Sequence, residues 1–176
     1  MKTLMFLASL LVLTPTNMVI DFKQESKDWY ALNDGVMGGL SQGAIQYKDD
    51  KLLFEGNVSL ENNGGFASVR NSWGSYDLSS YNEVTIRYRN KGQSFAMTME
   101  NQRQWYRPNF KITLPSSEKW TKKTFKISEF RAHQVGRPLD YYLDKELAST
   151  VKRLGFITND KKASNFSLEI DYIIFQ

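Results

Sequence analysis

The chain has 176 residues, a length that suits one domain with a substantial core. Its apolar fraction of 41% and aromatic fraction of 14% exclude an intrinsically disordered chain and favour strands. The net charge of +4 comes from dispersed lysine and arginine residues, so we predict no nucleic-acid partner, and the lack of cysteine excludes disulfides, zinc–thiolate sites and thiol nucleophiles.

The amino terminus has the pattern of a secretory leader. Lys2 precedes an apolar run at 4–13, which is the order of regions in a signal peptide. The run is too short to cross a bilayer, so we predict no integral membrane span. We predict a signal peptide or apolar leader at 1–17 and one domain at 18–176, exported to the periplasm or the exterior if the leader is cleaved and cytoplasmic otherwise. The alternative is that the run forms an extra strand or helix of the domain.

Short segments with strand character follow one another from residue 18 onwards, with turn residues between them. The predicted strands are 18–22, 44–48, 51–60, 66–71, 83–89, 95–99, 105–114, 120–127, 153–158 and 166–175. Asp49 and Asp50 join the second and third into a hairpin, and Pro108 marks the seventh as an edge strand or a bulge. Only 142–151 has the character of a short helix.

Two of these segments show the clearest alternation of apolar and polar side chains. The pattern of 83–89 is repeated at 95–99 after a turn at Lys91 and Gly92, so we predict that the two segments pair as antiparallel neighbours. About ten short strands without helices between them predict an all-β fold, a two-sheet antiparallel jelly-roll sandwich.

Two glycine-rich segments carry candidate binding residues. Residues 33–41 read Asn-Asp-Gly-Val-Met-Gly-Gly-Leu-Ser, and residues 62–70 read Asn-Asn-Gly-Gly-Phe-Ala-Ser-Val-Arg. Paired glycines allow tight turns, so one interpretation is purely structural. The alternative hypothesis is that both loops lie at one end of the sandwich and shape a single ligand- or partner-binding site, with Arg70 near its rim. The candidates are Asn33, Asp34, Gly38, Gly39, Ser41, Asn62, Asn63, Gly65 and Arg70.

The same segments carry a family resemblance. The chain resembles the NADH:ubiquinone oxidoreductase complex I intermediate-associated protein 30 family at Trp29, 33–41, 54–60, 62–70, 154–156 and 166–170. The resemblance implies a galactose-binding-like jelly roll. It also implies a non-catalytic role, since mitochondrial members act as assembly factors for respiratory complex I, and the NADH of the name belongs to that complex.

Catalytic chemistry finds little support in the sequence. His133 is the only histidine, and it lies in a predicted loop at 131–134 without a Gly-x-Ser-x-Gly elbow, so a serine triad or a histidine metal cluster lacks its parts. Neither glycine motif matches a phosphate loop or a dinucleotide fingerprint, because no strand–helix–strand pattern surrounds it. We predict no enzyme, no cofactor and no metal, since no Asp-rich loop marks a calcium site.

Two functions from different classes follow. The first is a module that binds a protein partner in the manner of an assembly factor. The alternative is a carbohydrate-binding module of the cell envelope, in which exposed aromatic side chains stack on sugar rings. Trp105, followed by Tyr106 and Arg107, is the candidate for such an exposed cluster, and we expect most of the other tryptophans to pack in the core. The sequence leaves the oligomeric state open.

Overall fold

The computed structural model describes residues 16–23 and 28–176, which form thirteen strands and one short α-helix. The strands are β1 Met18–Asp21, β2 Trp29–Asn33, β3 Gln42–Lys48, β4 Lys51–Val58, β5 Ala67–Asn71, β6 Glu83–Lys91, β7 Phe95–Glu100, β8 Asn109–Leu114, β9 Thr121–Lys126, β10 Arg131–Gln134, β11 Arg137–Tyr142, β12 Arg153–Thr158 and β13 Ser164–Phe175. The helix is Lys145–Ala148, and 3-10 turns lie at Asp34–Met37, Glu61–Asn63 and Ile127–Glu129.

Two antiparallel sheets face each other across one core. The six-stranded sheet has the order β3-β4-β13-β6-β9, with β1 also paired to β13, and the seven-stranded sheet has the order β11-β10-β8-β7-β12-β5-β2. Along β13, Phe166, Leu168 and Ile170 are buried and the residues between them are half-buried, because alternate side chains of a strand point to opposite faces. This arrangement confirms the predicted all-β sandwich.

Aromatic side chains fill the space between the sheets. Trp29 stacks on Phe156 with 6.0 Å between ring centroids and meets Phe22 edge-on at 5.6 Å. Phe54 and Phe166 pack with their centroids 4.9 Å apart. Each such pair contributes about 0.5–1.5 kcal/mol to stability beyond the effect of the area it buries. The aromatic pairs therefore stabilise the packing of the two sheets, which holds the residues of their outer faces in place.

One predicted pairing is wrong. Strand β6 pairs with β13 and β9 in the six-stranded sheet, whereas β7 pairs with β12 and β8 in the seven-stranded sheet. Alternation identifies the inward face of each strand but does not identify its neighbour. The turn between them crosses from one sheet to the other. Glycine is needed at position 92 for two reasons: its φ is positive, at 84°, and a Cβ there would collide with the Asn165 carbonyl oxygen.

Other boundaries differ for local reasons. Strand β8 begins at Asn109 rather than at residue 105, because Arg107 N donates to the Gln104 carbonyl in a turn before Pro108. Residues 131–134, predicted as a loop, form strand β10, and β2 and β11 were not predicted. The hairpin of β3 and β4 is confirmed, with Asp49 and Asp50 both at positive φ as a type I′ turn requires. The predicted helix is confirmed but shorter.

The predicted leader lies largely outside the described residues, since 1–15 and 24–27 are not described. In the remainder of the chain, no helix has the length and apolar character needed to cross a bilayer.

Candidate functional site

The carboxylate of Asp34 joins the two glycine-rich segments. Its Oδ1 accepts from Ser41 N at 2.9 Å, and its Oδ2 accepts from Ser41 Oγ at 2.6 Å, Gly65 N at 2.7 Å and Phe66 N at 3.2 Å. The side chain is only 1% exposed. Burial raises the pKa of Asp34, but the hydrogen bonds from Ser41, Gly65 and Phe66 outweigh it, so the net pKa lies below its ordinary value.

The neighbouring glycines make room for this carboxylate. A Cβ on Gly39 would collide with the Asp34 carboxylate, and one on Gly64 would lie 2.6 Å from its Oδ2. Gly38 and Gly65 have positive φ values of 87° and 131°, which residues with side chains rarely adopt. Asp34 and these glycines therefore fix the backbone of the junction, and the Asp34 carboxylate is itself occupied by hydrogen bonds from within the protein.

The asparagines of these segments face two environments. Asn33 is half-buried and donates from Nδ2 to the Gly43 carbonyl at 3.1 Å. Asn62 and Asn63 are exposed, and both have left-handed φ values, near 53° and 60°. The two predicted loops therefore meet, and of the candidate side chains in them only these last two are open to solvent.

Arg70 and Trp105 lie away from this junction. In β5, Ala67 pairs with Asn33 beside the junction, whereas Arg70 pairs with Tyr30 three residues along, about 10 Å away. Arg70 points to the outer face of the seven-stranded sheet, which is the face turned away from the core. Trp105 belongs to the connection between β7 and β8. The rim position that we hypothesised for Arg70 is therefore not what the structure shows.

The outer face of the seven-stranded sheet carries one continuous row of side chains. Each strand contributes one residue, and successive residues are register partners, so all point to the same side. This transverse row runs Tyr142, Arg131, Lys111, Thr98, Gly155, Arg70 and Tyr30. Neighbouring strands lie about 4.8 Å apart, so the row spans about 29 Å.

The middle of the transverse row is its least exposed part. Thr98 is 7% exposed and Gly155 is buried, whereas Tyr30 and Tyr142 at the two ends are 38% and 50% exposed. A Cβ on Gly155 would lie 3.0 Å from Arg70 Cγ and from Thr98 Oγ1, so glycine allows the arginine stem to lie flat across the sheet. The centre of the row is therefore formed by two small residues, with the cationic side chains of Lys111 and Arg131 on one side and of Arg70 on the other.

A charge network borders the row on β7 and β12. Glu100 accepts from Arg153 Nε at 3.2 Å and from Arg153 Nη2 at 2.6 Å, and its Oε1 lies 3.2 Å from Arg70 Nη1. Arg153 Nη1 donates to the Tyr30 hydroxyl at 3.0 Å, and its guanidinium lies 3.8 Å from the Trp73 ring centroid. Burial lowers the pKa of Arg70, Glu100 opposes this, and Arg153 reinforces it. One carboxylate thus serves two guanidinium groups.

Further cations lie on β8 and β10. Lys111 Nζ donates to Asn159 Oδ1 at 2.9 Å, and burial lowers the pKa of this ammonium. Burial also lowers the pKa of His133; its hydrogen bond to the Arg131 carbonyl opposes the shift, and the charges of Lys111 and Arg131 reinforce it. His133 is therefore predominantly neutral at pH 7 in a positively charged neighbourhood.

Exposed aromatic side chains are concentrated on the same sheet. Trp105 is 69% exposed and packs edge-on against Tyr106 at 6.0 Å, and the Tyr106 carbonyl accepts from Gln134 Nε2 at 3.1 Å. The loop that carries them is thereby tied to the end of β10. Sequence reasoning found Trp105 but missed Tyr30, Lys111 and Tyr142, whose outward positions become visible only once the strand order is known.

The remaining tryptophans are placed differently. Trp29 is buried in the core, while Trp73 and Trp120 are half-buried beneath arginine side chains on the outer faces. The expectation of core packing is therefore right for Trp29 and wrong for the other two. In the part of the chain that the structure describes, no group of three acidic or histidine side chains is arranged to hold a metal ion.

Comparison with known proteins identifies the family. The model of the complex I intermediate-associated protein 30 family matches residues 20–170. The chain belongs to this family. Membership confirms the resemblance of the glycine-rich segments and supports the prediction of a non-catalytic module. No curated protein matches the chain.

Solved structures extend the comparison. A family 11 carbohydrate-binding module of Clostridium thermocellum in complex with a β-1,3-1,4-mixed-linked tetrasaccharide is 13% identical, with a TM-score of 0.66 over 90% of this chain and 94% of that one. The family 11 module of a cellulosomal cellulase from the same organism is 12% identical, with a TM-score of 0.67 over 92% and 95%. A low-affinity xylan-binding module from Roseburia intestinalis is 11% identical, with a TM-score of 0.51 over 92% and 96%. At these identities the likeness shows the fold alone, and it confirms the galactose-binding-like sandwich for this family member.

Proposed function

We propose that this protein is a non-catalytic carbohydrate-binding module whose site is the outer face of the seven-stranded sheet. The observation that carries the proposal is the transverse row, an extended strip with two small buried residues at its centre, cationic side chains beside them and an exposed tyrosine at each end. The related folds support it, since one of them is a carbohydrate-binding module in complex with a tetrasaccharide.

The chemistry of the strip suits a linear glycan. Tyr30 and Tyr142 present rings on which the apolar face of a sugar can stack, and Trp105 offers a third ring at the same sheet. Between the aromatic ends, Thr98 and the cationic side chains supply hydrogen-bond donors for sugar hydroxyls. A strip about 29 Å long would contact several consecutive sugar rings, so affinity would rise with chain length.

Removal of an aromatic end tests this proposal. Tyr142→Ala and Trp105→Ala should each weaken binding about ten-fold for whichever polysaccharide the intact protein retains, because truncation of an anchoring ring removes stacking area. Affinity gel electrophoresis over a panel of polysaccharides would measure the change. Leu40→Ala is the control, since Leu40 is 52% exposed, close to the 50% of Tyr142, but lies in the 33–41 segment. Affinities unchanged in both aromatic variants, or no polysaccharide retained at all, would contradict the proposal.

A protein partner is the second candidate, and the family description favours it, since it names proteins associated with an intermediate of complex I. The same surface could serve, because tyrosine, tryptophan and arginine are the side chains enriched in interface centres. Affinity capture from native cells with the intact protein and with Tyr142→Ala would test this candidate. A co-purifying protein that is lost with Tyr142→Ala and not with Leu40→Ala would favour it over the glycan.

Export is part of the glycan proposal. A cleaved leader at 1–17 would bring the module to the cell envelope, where polysaccharides are found, and would weaken a role in the cytoplasmic assembly of a respiratory complex. Sequencing the amino terminus of the mature protein tests this step, and an intact Met1 would refute it.

A further inference from the structure

Arginine side chains on the two outer faces are compensated differently. On the six-stranded sheet each arginine of β6 has its own carboxylate, with Arg87 paired to Asp171 and Arg89 paired to Glu169 through two hydrogen bonds. On the seven-stranded sheet, Arg70 and Arg153 share the single carboxylate of Glu100. Together with Lys111 and Arg131, these arginines make four cations, and the carboxylates within ion-pair distance of them in the described residues are two, Glu100 and Asp140.

The excess is concentrated at Lys111 and Arg131, which are register partners on β8 and β10. Among the described residues, no carboxylate lies within ion-pair distance of Lys111, whose hydrogen-bond partner is the neutral amide of Asn159. Arg131 Nε donates to the neutral Leu139 carbonyl at 2.7 Å, and among the described residues the one carboxylate within ion-pair distance of Arg131 is that of Asp140, at 3.9 Å. That carboxylate is fully exposed and so contributes little. Withdrawal of an ammonium from water without a counter-charge costs free energy. The position of Lys111 therefore lowers the free energy of unfolding.

The position of the ammonium is fixed. Asn159 Nδ2 donates to Thr113 Oγ1 at 3.2 Å, which orients the amide oxygen toward Lys111 Nζ. In the transverse row, Lys111 lies between Arg131 and the buried Thr98. A bound chain lying along the row would therefore pass directly over an oriented, uncompensated charge.

We propose that the glycan bound by this face is anionic, and that Lys111 and Arg131 together receive one of its carboxylate or sulfate groups. This inference rests on the proposed function and specifies its ligand class. Burial of the ligand charge against the two cations would supply the counter-charge that Lys111 lacks. A nucleic acid fits less well, because its affinity depends on many phosphate contacts along a cationic stripe, and the uncompensated charge is confined to two adjacent strands.

The test compares charged and neutral forms of one polymer. Polygalacturonate and its fully methyl-esterified form would be titrated against the protein by calorimetry at low and at physiological salt, and a sulfated galactan and its desulfated form would distinguish carboxylate from sulfate. Lys111→Met removes the charge at nearly constant volume, and Lys122→Met is the control, since Lys122 is exposed on the six-stranded sheet. We expect Lys111→Met to weaken binding of the charged polymer at least ten-fold without loss of stability in urea, and Lys122→Met to change neither quantity.

The other outcomes of these experiments contradict either the anionic ligand or the proposed function. Equal binding of charged and neutral polymers, unaffected by Lys111→Met, would refute the anionic ligand and leave the carbohydrate module standing. Binding of single-stranded DNA as tight as that of the charged polymer, and equally dependent on Lys111, would refute the glycan as occupant. Failure of every polymer to bind would refute both the ligand class and the proposed function.

Discussion

Asp34→Ala should lower the free energy of unfolding by about 3–5 kcal/mol, which is a large fraction of the stability of an ordinary domain. The substitution leaves three main-chain donors, the N–H groups of Ser41, Gly65 and Phe66, without the carboxylate that accepts from them in a buried site. Each unsatisfied buried donor costs about 1–3 kcal/mol, and relaxation of the loops recovers part of that.

Urea unfolding followed by tryptophan fluorescence would measure this loss. Asp77→Ala is the control, because Asp77 also accepts hydrogen bonds from a nearby serine, Ser79, but lies in an exposed turn, and we expect little change. If Asp34→Ala instead keeps full stability and abolishes ligand binding, the structural role of Asp34 is wrong. The glycine-rich junction would then again be a candidate for the binding site.

The loss of stability in acid should depend on the same carboxylate. The pKa of Asp34 is lowered in the folded protein relative to about 3.8, so its contribution to stability is present above that pH and is lost as the pH falls through the folded value. Asp34→Asn should therefore show a flatter loss of stability below pH 4 than the intact protein. An identical acid limb in both proteins would mean that the carboxylate is not held by these hydrogen bonds.

The sequence was informative wherever a pattern was local. The alternation predicted for 83–89 agrees with the structure, in which Val84, Ile86 and Tyr88 are fully buried, and Asp49 with Asp50 correctly marked a hairpin. The pairing of 83–89 with 95–99 failed, because a three-residue turn can close a hairpin or cross between sheets, and local composition does not separate the two.

The transverse row illustrates why the candidate site was harder to predict. Tyr30, Lys111 and Tyr142 are far apart in sequence, and each is an ordinary outward residue of its own strand. Their common position depends on the strand order, which long-range pairing decides. The glycine-rich segments were predicted as a binding site because glycine and asparagine form a recognisable sequence pattern. Most of these residues instead provide the backbone geometry around Asp34.

Glu100→Ala should lower the free energy of unfolding by about 3–5 kcal/mol, because it leaves the largely buried guanidinium groups of Arg70 and Arg153 without a counter-charge. The same substitution in an Arg153→Met background should cost clearly less, since one of the two orphaned charges is then gone, and urea unfolding of the four proteins gives the coupling directly. Additive losses would mean that the ion pair contributes nothing to the fold.

Glu100→Gln separates the structural role of this carboxylate from a role in binding. The amide keeps the shape and some of the hydrogen bonds but removes the negative charge, so the face becomes more cationic. Affinity for polygalacturonate should therefore be retained or increased, while stability falls less than in Glu100→Ala. If Glu100→Gln instead abolishes binding at unchanged stability, Glu100 contacts the ligand itself, and the carboxylate belongs to the recognition of sugar hydroxyls rather than to the support of Arg70 and Arg153.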